Sequence, residues 1–407
     1  MEKKKFEIDK IVFVLFSLFL YFMSSNTYLD GENIAIYTVN YDRGIISNAF
    51  IGTVYRAICN LLGLNMNNYR TLQCMIFIVN FVYFSLLMLF FYQVMRRVNT
   101  ISAKQKYLLF VLATIPLSTN FGLHKNFGSI DLYLAIITLC IYMLLYSTNW
   151  IWLSVPLVII GQVIYKIYIS TYYLIIVAML LYSVMKSKSQ KKQYKSLLVT
   201  LTLVVAITYV ILHIITGNRL ELSAKDGTTM LQSIMASADR ASRLIGKAEV
   251  TPDIFGNIVW GSELWITKKH IVEWIIFGVL CYPFEREIIP VLRDIYKTEL
   301  NNQILRCMYG GILFIIIFQG LLYSGTGRSV FLIIMGFWLL LFWILKSDDN
   351  HAVVVVSKYV DRWLGLGTYG IFLLVYLIML FPLWGTSINW MTGHVADFLN
   401  NLILHIW

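Results

Sequence analysis

Mostly apolar runs recur along the whole chain, at 11–25, 72–95, 107–120, 130–146, 152–165, 168–185, 197–215, 271–284, 304–323, 329–345 and 365–384. A helix needs about 17–25 such residues to cross a bilayer. The pattern predicts an all-α, polytopic membrane helical bundle of about eleven transmembrane helices, a single integral membrane domain over residues 1–407. The runs at 107–120 and 152–165 are short for a full crossing. No internal repeat of the transporter kind stands out.

Two polar segments break this rhythm. The first, 26–70, begins with Asp30 and Glu32 around a glycine, passes through Tyr41-Asp42-Arg43-Gly44 and then turns helical. Ile46, Phe50, Val54, Ile58, Leu61 and Leu62 recur at three- and four-residue spacing, with Ser47, Asn48, Tyr55, Arg56 and Asn60 between them. That period predicts an amphipathic helix able to lie in the plane of a membrane surface, apolar side down. The second segment, 216–270, is the longest polar stretch. In it Met230, Leu231, Ile234, Met235, Ala238, Ala241, Leu244 and Ile245 share one helical face, while Asp239, Arg240, Arg243 and Lys247 populate the rest. Such a helix is either a packing element with a solvated face or a lid that contacts saccharide. Trp260 and Trp265 nearby suit sugar stacking or the interface.

Composition narrows the class. Hydrophobic residues make up 58% of the chain, charged residues 14%, and the mean hydropathy is +0.70. A soluble domain could not cover that much apolar surface with so few charges. The net charge of +11 sits largely in clusters beside the spans: Lys3-Lys4-Lys5, Arg96-Arg97, Lys104 with Lys106, and Lys186 through Lys195. Those are positions where basic residues mark the cytoplasmic side. This places the amino terminus inside and both polar segments outside. No basic stripe with interleaved aromatics is present, which argues against nucleic acid as a partner. The five cysteines, Cys59, Cys74, Cys140, Cys281 and Cys307, lie in apolar contexts without metal-ligand spacing and read as packing residues. The first span lacks a small-residue cleavage pattern, so it is expected to stay as a helix.

With this topology, the unusual polar residues collect on the outer face. Asp131 sits one residue into its span, where a helix dipole favours an acid, or where it forms a polar site with His124 and Lys125. Lys166 stands between two spans, as a snorkelling lysine or as the cationic partner of Asp131 or of a phosphate. Arg328 follows two glycines in Gly325-Thr326-Gly327, which would let a guanidinium approach a ligand closely. Asp42 pairs with Arg43 or water, or serves as general base for an acceptor hydroxyl. Charges at membrane depth are functional candidates. No HExxH, GxSxG, Walker loop or paired CxxC occurs, so metalloprotease, serine hydrolase and ATPase chemistry lack their parts.

The acidic first external loop, the surface helix after it, about ten to twelve spans and one long external loop together resemble a known group. These are the bacterial polysaccharide repeat-unit polymerases and related integral-membrane C-type glycosyltransferases of surface-polysaccharide clusters. The string Tyr41-Asp42-Arg43-Gly44-Ile45-Ile46-Ser47-Asn48-Ala49-Phe50-Ile51-Gly52 is similar to a first-loop segment common in them. An arginine usually stands nearer the second glycine there, where this chain has Asn48-Ala49. The resemblance implies a protein of the bacterial cytoplasmic membrane that builds capsular or other surface polysaccharide from a polyprenyl-phosphate-linked saccharide at the outer face. Asp30 or Asp42 would then act as base or metal contact. Arg328, Lys166 and Lys125 would hold the donor phosphate, and His124, Asp131, Arg240 and Arg243 would contact substrate. No cofactor is expected, a divalent metal stays open, and other polysaccharide-export proteins are conceivable partners. The rival functions are a flippase for the same lipid-linked sugar and a membrane acyltransferase modifying the polymer.

Overall fold

The structure, a computed structural model, describes residue 29 and residues 31–43, 49–97, 128–147, 150–187, 190–216, 299–322, 326–346 and 350–365, with short pieces or single positions among 105–117, 229–237, 275 and 286–297. Among the described residues the chain is helical, with no strand. In chain order the helices are α1 (Gly31–Thr38), α2 (Phe50–Leu62), α3 (Tyr69–Arg97), α4 (Ile130–Ser147), α5 (Ser154–Ile164), α6 (Tyr172–Lys186), α7 (Lys191–Thr216), α8 (Leu300–Leu322), α9 (Thr326–Lys346) and α10 (Asn350–Gly365). Single 3-10 turns lie at Tyr41–Arg43, Ile151–Leu153 and Lys166–Ser170.

Among the described residues five segments are long and apolar enough to cross a membrane: Tyr69–Val94, Lys166–Lys186, Lys191–Leu212, Leu300–Gln319 and Arg328–Lys346. Phe50–Leu62, Ile130–Tyr146 and Ile151–Ile164 are apolar but shorter. The expected span at 11–25 lies outside the described residues, as do all but the first residue of 365–384 and most of 107–120 and 271–284. The short run at 152–165 forms only the 11-residue α5. With the 3-10 turn before it, Ile151–Ile164 reaches about 21 Å at 1.5 Å per residue, less than the roughly 30 Å of a hydrocarbon core.

Among the described helices α9 is the most enclosed. Its apolar residues run all round the cylinder, and 83% of its most apolar window is buried in the protein. It touches α3, α4, α6, α8 and α10. On the periphery, the corresponding windows of α7 and α8 are only 22% and 17% buried. Both expose large aliphatic or aromatic side chains, among them Leu203, Ile207, Ile214, Phe314 and Phe318. An apolar helix with one face on protein and the rest bare is suited to lipid. Where α3, α4 and α9 meet, Phe90, Tyr142, Phe342 and Trp343 pack ring edge against ring face.

The face of α2 that turns inward consists of Ile51, Gly52, Tyr55 and Cys59. Of the stripe read from the sequence, Val54, Leu61 and Leu62 are exposed, and Ile46 lies outside the described residues. A glycine rather than a large apolar residue decides this. A Cβ at Gly52 would overlap the carbonyl oxygen of Val39, so only a bare backbone lets α2 lie against the end of α1. The expectation that the cysteines are packing residues holds for Cys59, which is buried, whereas Cys74 and Cys307 are exposed on α3 and α8.

The described pieces of polar sequence gather at two ends. At one end Lys186 pairs with Glu299 at 2.8 Å. At the same end Gln105 donates to Asp361, and Glu287 and Asp294 accept from α10. At the other end the Tyr37 hydroxyl donates to the Gly128 carbonyl and meets the Tyr133 hydroxyl at 2.9 Å, tying α1 to the start of α4. In the long polar segment Leu231 and Ile234 are buried, and Ser237 accepts from the Tyr69 amide at 2.8 Å.

Candidate functional site

A charged cluster lies where α4 and α9 begin. Asp131 is in the first turn of α4, where the helix dipole favours a carboxylate. Arg328 is in the first turn of α9, where the same dipole opposes a cation. The two neutralise each other: Arg328 Nε donates to both carboxylate oxygens of Asp131 at 2.8 Å. Arg328 Nη1 donates to the Tyr165 hydroxyl at 3.1 Å, and the guanidinium carbon stands 5.0 Å from that ring's centre. Tyr165 occupies the extended joint between α5 and the 3-10 turn, at φ −150° and ψ 117°. That joint is held by Gln162, whose Nε2 donates to the Lys166 carbonyl at 2.6 Å. Tyr172, the first residue of α6, turns its buried hydroxyl toward Asp131 and Arg328 without a hydrogen bond of ordinary geometry.

The cluster is partly open. The Arg328 side chain keeps 28% of its exposure and Asp131 15%. A guanidinium carries five N–H donors. Arg328 commits Nε and part of Nη1, and Nη2 has no partner among the described residues.

Helix lengths place the cluster below a rim. The loop between α6 and α7 sets Lys186 and Lys191 side by side in the chain, and the Tyr173 and Thr202 hydroxyls meet at 2.8 Å. From Thr202, α7 continues to Thr216, about 21 Å further at 1.5 Å per residue. Similarly, Ile76 of α3 lies beside Gly128, so the start of α3 at Tyr69 stands about 10 Å beyond the beginning of α4. The ion pair therefore sits at the starts of α4 and α9, flanked by α3 and α7, which extend further, where an unpaired charge would be costly.

The other sequence candidates divide. Lys166 opens the 3-10 turn next to Tyr165 and is half-buried. The cation seen on Asp131 is Arg328. The Asp42 carboxylate is paired with Arg56 of α2, and 56% of its side chain is exposed; the Arg43 side chain lies outside the described residues. The Asp42 amide caps on Asn40 Oδ1 at 2.9 Å, and the preceding amide of Tyr41 donates to Thr53 at 3.0 Å, which anchors the turn to α2. Burial pushes the Tyr41 phenol up to about 12, so it remains a neutral group beside this carboxylate. Burial likewise raises the Cys59 thiol, which makes it a poor nucleophile. Asp30, His124, Lys125, Arg240 and Arg243 lie outside the described residues. No group of three or more His, Cys, Asp or Glu that could hold a metal occurs among the described residues.

Sequence reasoning missed Tyr165 and Tyr172 as members of the cluster. Their signal was the tyrosine-rich string around Lys166, which carries Tyr165, Tyr168, Tyr172 and Tyr173. Comparison with protein-family models, with curated proteins and with solved structures finds no match for this chain.

Proposed function

We propose that this protein is a multi-spanning membrane glycosyltransferase, a polymerase or transferase for a capsular or other surface polysaccharide, and that Arg328 holds the phosphate of a polyprenyl-linked sugar donor. The observation that carries this reading is the open Nη2 edge of a part-buried arginine, fixed on its other edge by Asp131 and Tyr165. A planar guanidinium matches phosphate oxygens, and a site at the rim of an apolar bundle strengthens the attraction. Lys166 adds a second cation beside Tyr165. In this reading the bundle has about eleven spans, its amino terminus is cytoplasmic, and the cluster faces outward in the bacterial cytoplasmic membrane. Helix α2 lies in the outer interface, with Val54, Leu61 and Leu62 toward lipid. Asp30 or Asp42 deprotonates the acceptor hydroxyl, which attacks the anomeric carbon. The departing pyrophosphate is balanced by Arg328 and Lys166. Asp42 must leave Arg56 to act, which favours Asp30 as the base.

The test is binding and turnover of a polyprenyl-pyrophosphate sugar by purified protein in matched detergent. Arg328→Ala should weaken donor binding by about 2–5 kcal/mol, and Arg328→Lys should recover only part of it. Both variants are compared at equal elution volume on size exclusion, since Arg328→Ala leaves Asp131 without its partner. Unchanged affinity and turnover in Arg328→Ala and Lys166→Ala would move the donor site to Arg240 or Arg243. A flippase for the same lipid would bind the donor through Arg328 but form no product.

A further inference from the structure

Helix α4 carries a polar stripe along the bundle. Asp131, Thr138, Tyr142 and Tyr146 follow at spacings of seven, four and four, which puts them on one helical face. Arg328 closes one end of the stripe on Asp131. Lys346 closes the other, donating to the Tyr146 carbonyl with its ammonium 4.3 Å from the Tyr146 ring centre and 5.0 Å from that of Trp343. Between these ends, Tyr168 lies against Thr138, and Tyr172 faces Asp131 and Arg328. From Asp131 to Tyr146 the stripe covers about 22 Å at 1.5 Å per residue, most of a hydrocarbon core of roughly 30 Å.

The hydroxyls of Tyr142, Tyr168 and Tyr172 are buried without a hydrogen bond of ordinary geometry, Tyr168 having Thr138 and Tyr172 having Asp131 as its polar neighbour. Phenylalanine would fill the same space without leaving a polar atom unpaired, and in an apolar interior each such atom is expected to find a partner. Buried water commonly sits on polar groups that the protein leaves open.

We propose that a file of internal water lies along this stripe and relays protons between the Asp131–Arg328 end and the Lys346 end. Each hydroxyl or water accepts a proton on one side and releases one on the other. Only O–H bonds form and break, nothing is oxidised or reduced, and the net result is one proton moved down the pH or voltage difference. This inference does not depend on the transferase reading. A bundle that passes protons can couple a gradient to movement of a charged lipid.

The experiment uses the full chain in vesicles with a pH step, an internal pH-sensitive dye and a potassium carrier to balance charge. Wild-type vesicles should lose the pH difference faster than protein-free ones. Tyr142→Phe should slow that loss about tenfold, the effect of one hydrogen-bonded link on the barrier. Radiolytic hydroxyl labelling, which oxidises side chains beside bound water, should modify Tyr142 and Tyr172 despite their burial. A rate equal to that of protein-free vesicles, or one unchanged in Tyr142→Phe, overturns the relay. Unlabelled tyrosines together with a raised melting temperature in Tyr142→Phe, as expected for a dry unpaired hydroxyl, overturn the water file itself.

Discussion

Gly52 and Gly128 hold the first polar segment against the bundle. Gly128 has φ +79°, the left-handed region, and a Cβ there would come within 2.9 Å of Ile76 Cδ1. Gly52 has ordinary helical geometry, but its missing side chain is where the Val39 carbonyl lies. Backbone cannot step aside as a flexible side chain can, so Gly52→Ala should cost at least about 3 kcal/mol. Gly310 of α8 has nothing within 4 Å of its would-be Cβ. Gly310→Ala should be neutral or gain up to about 1 kcal/mol from helix propensity. Thermal unfolding of both variants in one detergent checks the contrast, and equal melting temperatures would mean that α2 does not lie on α1 in solution. Nothing in the sequence separates these glycines from the rest, because a close approach belongs to two segments at once.

At the scale of elements, α10 works as a clasp. Its apolar side, Ala352, Val353, Val356 and Val360, is buried. Its polar side ties two other segments together. The Tyr359 hydroxyl donates to Asp294 at 2.7 Å, and Trp363 Nε1 donates to Glu287 at 3.1 Å. Asp361 accepts from Gln105 at 2.8 Å. The Tyr359 hydrogen bond, helped by Arg293, holds the Asp294 carboxyl below its ordinary value. A carboxyl whose folded value is depressed contributes stability above its unfolded value, near pH 4, and loses it as pH falls through the lower folded value. Asp294→Asn should therefore lower the melting temperature at pH 7, and the gap to wild type should close as pH falls below about 4. A gap that stays constant down to pH 3 would assign the effect to shape rather than charge. The amphipathic period of α10 is visible in the sequence. Its partners are not, since Gln105 and Asp361 are 256 residues apart.

For the whole molecule, the basic loops read as cytoplasmic and the polar segments read as external fall at opposite ends of the described bundle. Lys186, Glu299, Gln105 and α10 share one end, and Asp131, Arg328, α1 and the 229–237 piece share the other. Single cysteines introduced near Lys191 and near Arg240, in a background without native cysteines, should differ toward an impermeant thiol reagent added to intact cells. Only the Arg240 position should be labelled. Equal labelling of both would reverse the sidedness on which an outward-facing donor site depends.

Length and hydropathy by themselves determined the all-helical membrane class and most of the described helices. The runs at 72–95, 130–146, 168–185, 197–215, 304–323 and 329–345 lie within or closely match α3, α4, α6, α7, α8 and α9. That follows from local geometry, because a run of apolar residues long enough to cross must close its backbone hydrogen bonds within itself. The sequence also singled out Asp131, Lys166 and Arg328 as charges near membrane depth. Only the tertiary structure decided that Arg328 takes Asp131, that Tyr165 and Tyr172 join them, and that Asp42 turns to Arg56. In lipid nearly every helix face is apolar, so hydropathy carries little information about which helices become neighbours. Neighbours are chosen by shape, by glycines such as Gly52 and by the few charges that must find each other, and those choices appear only when the helices are packed.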